Sequence, residues 1–253
     1  MFVASRAYIL SKLLRANFIE PTWTKFSIGP FWRHEKDKRS YFHIFNSYGI
    51  SGWRKLVKIK KKTIHEKDIS SQMMGIVRVE GLANYFQDLN MHSDWVKEYF
   101  DNITNKDIIR LVEKKDLKKA VAVHIRLGDY LPHQRVDIHW YRGVILNFQR
   151  IKTDQQFLVF SDGTNEELKT ILDIPNVKRI FFGNAFADIY AISRCRFVIA
   201  SDSTFSAWGA FLGQIPILFN RRHFPPVYCD DILEVVLGDS INIPDEFYSL
   251  LKQ

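Results

Sequence analysis

The hydrophobic pattern changes character near the middle of the chain. At the start, Val3, Ala7, Leu10 and Leu14 fall at i, i+4, i+7 and i+11, with Arg6, Lys12 and Arg15 off that line. This spacing predicts an opening helix whose apolar stripe is those four residues. Residues 20–70 have no clear period and carry Pro, Gly and mixed charge. Within them "KLVKIKKKTIHEK" places lysines densely, which fits a solvated face or a surface for anionic lipid or phosphate. Residues 93–119 return to helical spacing through Trp95, Val96, Tyr99 and Phe100, then Ile108, Ile109, Leu111 and Val112.

From residue 120 short apolar runs alternate with helical segments. The runs are "AVAVHI" (120–125), "FLVFSD" (157–162), "KRIFFG" (178–183), "RFVIAS" (196–201) and "IPILFN" (215–220). Pro216 marks the last as an edge or early strand position. Between them lie a helix with Tyr141, Val144, Ile145 and Phe148 on one face, and a helix opened by a Thr164/Glu167 capping box. The helices "FADIYAISRC" and "TFSAWGAFLG" follow, and "DEFYSLLK" ends the chain. Alternating strand and helix predicts an α/β fold whose carboxy-terminal parallel sheet has helices on both faces. The change in composition divides the chain into 1–117 and 118–253.

Composition narrows the classes. With 253 residues and 46% apolar content the chain can build a sizeable core. Thirty-six Lys and Arg against 28 Asp and Glu leave a net +8, which favours anionic partners. Nucleic acid is suggested by that charge alone. Cys195 and Cys229 show no zinc spacing and suit core thiols of a reducing compartment. No apolar run reaches membrane-spanning length, and Ser5, Arg6, Ser11 and Lys12 interrupt any signal-type core. The expectation is a cytoplasmic protein, with peripheral contact to an anionic membrane in view.

Candidate chemistry gathers where the strands end. "HIRLGDY" (124–130) places His124, Arg126 and Asp129 after the first run, and Ser161 and Asp162 close the second. Ser201, Asp202, Ser203, Thr204 and Ser206 follow the fourth and open a helix. Ligands of open α/β sheets bind beyond such ends. A helix start with extra hydroxyls suits a phosphate, although a plain N-cap needs only one of them. Arg126 can grip a diphosphate bidentately or form a salt bridge with Asp129. Asp162 can accept from a base or ribose, or cap a turn before Gly163. No GxGxxG, Walker A, nucleophile elbow or DxD is present, so neither a dinucleotide site nor a metal-bridged diphosphate is indicated.

"HIRLGDY", "FSDG" (160–163) and "SDSTFSAWGAFL" (201–212), with "DIYAISRC" and "NYFQ" (84–87), resemble motifs of the inverting α-1,2-fucosyltransferases of glycosyltransferase family eleven. Gly163, Asp202 and Ala207 depart from the family's Asp, Asn and Trp, and its glycine-rich loop and first strand would precede Met1. The resemblance implies a GT-B-like architecture, two Rossmann-like domains facing a cleft, with acceptor and donor sides in that order. It implies transfer of fucose from GDP-fucose to the 2-hydroxyl of a terminal galactose in a surface glycan, with inversion and no metal or other cofactor. Arg126 would hold the β-phosphate, His124 would support it, Asp162 would contact the nucleoside, and Ser161 is a further donor-side residue. Ser203, Thr204, Phe205 and Ser206 would line the diphosphate. Tyr85 and Gln87 are the acceptor-side candidates. Asp129 would be either the general base or the partner of Arg126.

Overall fold

The computed structural model describes residues 1–23, 41–58, 63–68, 75–128, 130–228 and 233–252. They divide into two compact units, one running to Asn105 and one beginning at Lys106. The division falls ahead of the 117/118 boundary suggested by composition. The helix Lys106–Glu113, numbered α5 below, packs on a helix of the second unit and so belongs to it.

The amino-terminal unit holds α1 (Phe2–Leu13), α2 (Gly52–Lys58), a parallel strand pair β1 (Thr63–His65) and β2 (Ile76–Arg78), then α3 (Gln87–Asn90) and α4 (Ser93–Ile103). Its core is aromatic: Tyr8 of α1 stacks on Tyr99 of α4 at 4.8 Å, with Phe18 and Tyr48 edge-on to that pair. The helix expected at the start is present, but its buried face is different. Phe2, Ala4, Ser5, Tyr8 and Ile9 are buried, whereas Val3 and Leu14 of the expected stripe are exposed. Arg6 is buried as well. Its guanidinium pairs with Glu66 and donates to the carbonyls of Glu80 and Gly81. A cation with three acceptors tolerates the interior, which spacing alone does not reveal. The helical region read over 93–119 forms two helices, separated by Thr104 in extended conformation and Asn105, whose side-chain amide donates to the carbonyl of His43.

The carboxy-terminal unit runs α5 (Lys106–Glu113), β3 (Val121–Ile125), α6 (Ile138–Ile151), β4 (Phe157–Ser161), α7 (Lys169–Leu172), β5 (Val177–Arg179), α8 (Ala185–Ile192), β6 (Val198–Ala200), α9 (Thr204–Gly213), β7 (Ile217–Phe219), β8 (Glu234–Val236) and α10 (Asp245–Leu250). All six strands are parallel, in the order β5-β4-β3-β6-β7-β8. Every residue of β3 is buried, as a strand covered on both faces requires. Val121, Val123 and Ile125 meet α6 and α10 through Tyr141, Phe148 and Phe247, all in one core cluster. The opposite face carries α9, which contacts β6, and α8, which packs on α9. The α/β sheet with helices on both faces is therefore borne out.

Side chains set the helix starts. Asp137 caps α6 by accepting from the N–H of His139, and Asn184 caps α8 by accepting from Ala187. The Thr164/Glu167 box forms reciprocally, with Thr164 N–H donating to Glu167 and Glu167 N–H to Thr164. The strand β8 was not anticipated; it is three residues long at the sheet edge and carries Glu234, whose carboxylate pairs with Arg222. The lysines at 60–62, Cys229 and Asp129 lie outside the described residues. Cys195 is buried, as expected of a core thiol. No helix among the described residues is long and apolar enough to cross a membrane.

Candidate functional site

The strand order reverses between β3 and β6. The chain leaves β3 for β4 on one side, while β6 lies on the other. Loops leaving the carboxyl ends of these two strands part in opposite directions, and the crevice between them is where such sheets bind ligands. Register sets the residues there: His124 lies opposite Ala200, so Ile125 is flanked by Ser161 on one side and Ser201 on the other, and Arg126 is the next residue out.

His124 points away from Val123 and Ile125, toward α9. It is 4% exposed, and its Nδ1 lies 3.0 Å from Ser201 Oγ and 3.1 Å from Ser206 Oγ. Its ring stacks on Phe205 at 4.7 Å. Burial lowers its pKa to about 3; Asp162 works against that shift and Arg126 adds to it. His124 is thus a neutral brace that fastens the first turn of α9 to β3.

Arg126 is clamped from the neighbouring strand. Its guanidinium meets Asp162 Oδ2 at 2.7 Å, and Asp162 Oδ1 accepts from the N–H groups of Leu127 at 2.8 Å and Gly128 at 3.0 Å. Burial opposes the charge on Asp162, but Arg126 and those two N–H groups outweigh it and hold the carboxyl below its ordinary range. Asp162, expected to meet a nucleoside, commits both oxygens to shaping the loop. Gly128 is required by the same contact, since a Cβ there would lie 2.6 Å from Asp162 Oδ2. Tyr130 completes the loop: its ring lies under the Arg126 guanidinium at 5.4 Å, and its hydroxyl donates to the carbonyl of Asp202.

The hydroxyl run divides by role. Ser203 caps α9 by accepting from the N–H of Phe205, and Ser206 Oγ reaches the Ser203 carbonyl as well as His124. Both are buried, so they build the helix start and do not line its surface. Thr204 and Phe205 are half-buried and face outward more than either serine. Ser161 Oγ accepts from the N–H of Gly163 and stabilises the turn after β4.

Sequence reasoning passed over Tyr130 and the pair Asp202–His223, in which Asp202 Oδ1 takes both the N–H and Nδ1 of His223, the latter at 2.6 Å. The signal for Tyr130 was its place inside "HIRLGDY"; His223 has none, because it comes from the end of β7. Tyr85 and Gln87 belong to the amino-terminal unit. Tyr85 is half-buried against Phe2, edge-on at 5.5 Å, and Gln87 is exposed at the start of α3. Among the described residues no three His, Cys, Asp or Glu side chains converge as they would around a metal ion.

The fold is a doubly wound parallel sheet, and the Arg126–Asp162 pair and the amino terminus of α9 lie at the carboxyl ends of its strands, on the two sides of the switch point. The model for glycosyl transferase family 11 matches residues 79–215, more than half of the chain, and the protein belongs to that family. It is similar to the O-antigen biosynthesis glycosyltransferase WbnK of Escherichia coli, 28% identical over 152 residues, which is 52% of this chain and 50% of that protein. It is also similar to an Escherichia coli alpha-1,2-colitosyltransferase, 28% identical over 160 residues, 58% of this chain and 55% of that one. The chain thus spans about half the length of the curated relatives it matches. Among solved structures it is similar to the fucosyltransferase NodZ from Bradyrhizobium, at 18% identity and a TM-score of 0.44, with 59% of this chain and 55% of that chain covered.

Proposed function

We propose that the protein is an inverting glycosyltransferase that moves fucose from GDP-fucose to the 2-hydroxyl of a terminal galactose, without a metal, in assembly of a surface polysaccharide. The observation that carries this reading is Arg126, held rigid by Asp162 beside the amino terminus of α9 within the stretch matched by the family model. The acceptor oxygen attacks the anomeric carbon from the face opposite the phosphate. The bond from that carbon to the β-phosphate oxygen breaks, and GDP departs with the electron pair. Arg126 and the first-turn N–H groups of α9 offset the charge that develops on the leaving phosphate. The proton of the acceptor hydroxyl passes to a base, and Asp129 is the carboxylate of the motif closest in sequence to Arg126.

One relative acts with colitose, and a colitosyl donor is accordingly the second reading. Turnover of GDP-fucose and of a colitosyl donor, measured as GDP release with galactose-terminated acceptors and corrected for hydrolysis, separates the two. Transfer to none of these acceptors would overturn both. Arg126→Ala lowers kcat/KM by roughly a hundredfold or more, the usual cost of losing one charge-stabilising donor. Asp129→Asn lowers kcat and leaves GDP affinity intact if Asp129 is the base. A parallel loss of GDP affinity would assign it to orienting Arg126.

A further inference from the structure

The helix α2 has no buried residue. Trp53 is 83% exposed, Val57 68% and Leu56 50%. They stand at i, i+4 and i+3, so they form one apolar stripe. Arg54 and Lys58, also i and i+4, form a cationic stripe beside it. A lone exposed apolar side chain is unremarkable, but three on one face of a helix that buries nothing are not explained by packing among the described residues.

The helix is nonetheless fixed in place. Lys55, on its inner side, donates to the carbonyl of Glu20 at 2.7 Å and to Thr22 Oγ1 at 2.8 Å. The chain entering it is tied down by Ile50, whose N–H donates to Phe18 O and whose carbonyl accepts from Glu20. Gly49 at φ +84 makes this approach, because a Cβ there would lie 2.7 Å from the Phe18 carbonyl. Lys58 borders a groove of about 340 Å³ together with Leu10 of α1 and Leu14, which caps that helix. Leu13 and Leu14, at the end of α1, are exposed and are followed by the exposed Arg15. Both helix ends carry exposed apolar side chains next to cations.

We infer that this surface docks the protein on a membrane of anionic lipid. Trp53, Leu56 and Val57 enter the headgroup boundary, where Trp is favoured, and Arg54 and Lys58 meet the lipid phosphates. Charge complementarity selects that partner: an apolar stripe alone would suit a protein, and a cationic stripe alone would suit any polyanion. The contact is peripheral, with a short helix lying in the interface. It is independent of which sugar the active site transfers.

The test is flotation of the whole chain with two kinds of vesicle, phosphatidylcholine alone and phosphatidylcholine with about one third phosphatidylglycerol. The expected result is binding to the anionic vesicles only, weakening as salt rises. Trp53→Ser combined with Val57→Ser, and separately Arg54→Glu combined with Lys58→Glu, each lower the bound fraction by roughly tenfold or more. Trp53, Arg54 and Val57 are exposed and Lys58 is half-buried, so circular dichroism and the melting temperature stay close to those of the parent. The inference is overturned by parent protein that does not float with anionic vesicles, or by variants that float as the parent does. It is overturned equally if a single-stranded oligonucleotide displaces the protein from the vesicles and binds it in proportion to Arg54 and Lys58, which would make the surface one for nucleic acid.

Discussion

At the scale of single residues the site is an arrangement of charges held by buried polar groups. His124 is neutral because burial lowers its pKa to about 3, so folding releases a proton wherever the unfolded chain carries one. The unfolded state binds more protons between its ordinary 6.5 and about 3, so stability from this group is complete above 6.5 and declines as pH falls through that window. The decline is at most about 1.4 kcal/mol per pH unit. Denaturant titrations across this range on the parent and on His124→Asn test the point, with a flatter profile expected for the variant. Asp162 follows the same sign at lower pH, being held below the carboxylate range when folded. Gly128→Ala is expected to act through Asp162. The new methyl group would sit 2.6 Å from Oδ2, the oxygen that Arg126 holds, and would push the carboxylate off the guanidinium. GDP affinity measured by calorimetry then falls about tenfold, with a stability loss of about 1–3 kcal/mol. Unchanged GDP affinity would detach Arg126 from the phosphate role.

At the scale of elements, α8 and α9 approach closely because α9 carries glycine at the contact. A Cβ on Gly209 would lie 2.4 Å from Ile192 Cγ2, and one on Gly213 2.3 Å from the Ser193 carbonyl. Gly209→Ala therefore costs about 1–3 kcal/mol in chemical denaturation despite the better helix propensity of alanine. A neutral or stabilising effect would show that α8 yields. Apart from β8, the strands of the carboxy-terminal unit were legible in the sequence because a strand buried on both faces is a continuous apolar run, and the Thr164/Glu167 box announced one helix start. In the amino-terminal unit the strands are three residues long, too short to show a period, and α2 runs for seven residues, too few for its stripe to stand out from the irregular sequence around it. The start of α9 was legible as a hydroxyl cluster, but its use was not. Which hydroxyl turns inward depends on His124, 82 residues from Ser206.

At the scale of the molecule, the sheet and both helical layers that cover it lie within one unit. A fragment beginning at Lys106 is expected to keep a single cooperative melt followed by near-ultraviolet circular dichroism. Loss of that signal would mean the core of this unit is incomplete without the residues before it. The boundary itself illustrates the reach of composition: α5 reads as the tail of the preceding helical region, yet it packs on α8.

Periodicity by itself determined the α/β class and the carboxy-terminal strand order of appearance, and the spacing of "HIRLGDY" and the serine-rich helix start marked a candidate site, because these are local patterns within one element. The tertiary structure alone decided which faces are buried and which partners meet. Arg6 went inside because Glu66, Glu80 and Gly81 supply acceptors, and Val3 and Leu14 remained outside. Arg126 was fixed by Asp162 from the next strand, a pairing set by sheet register between residues far apart in the chain. Register and long-range ion pairing depend on strands meeting in space, so no local window of sequence contains them.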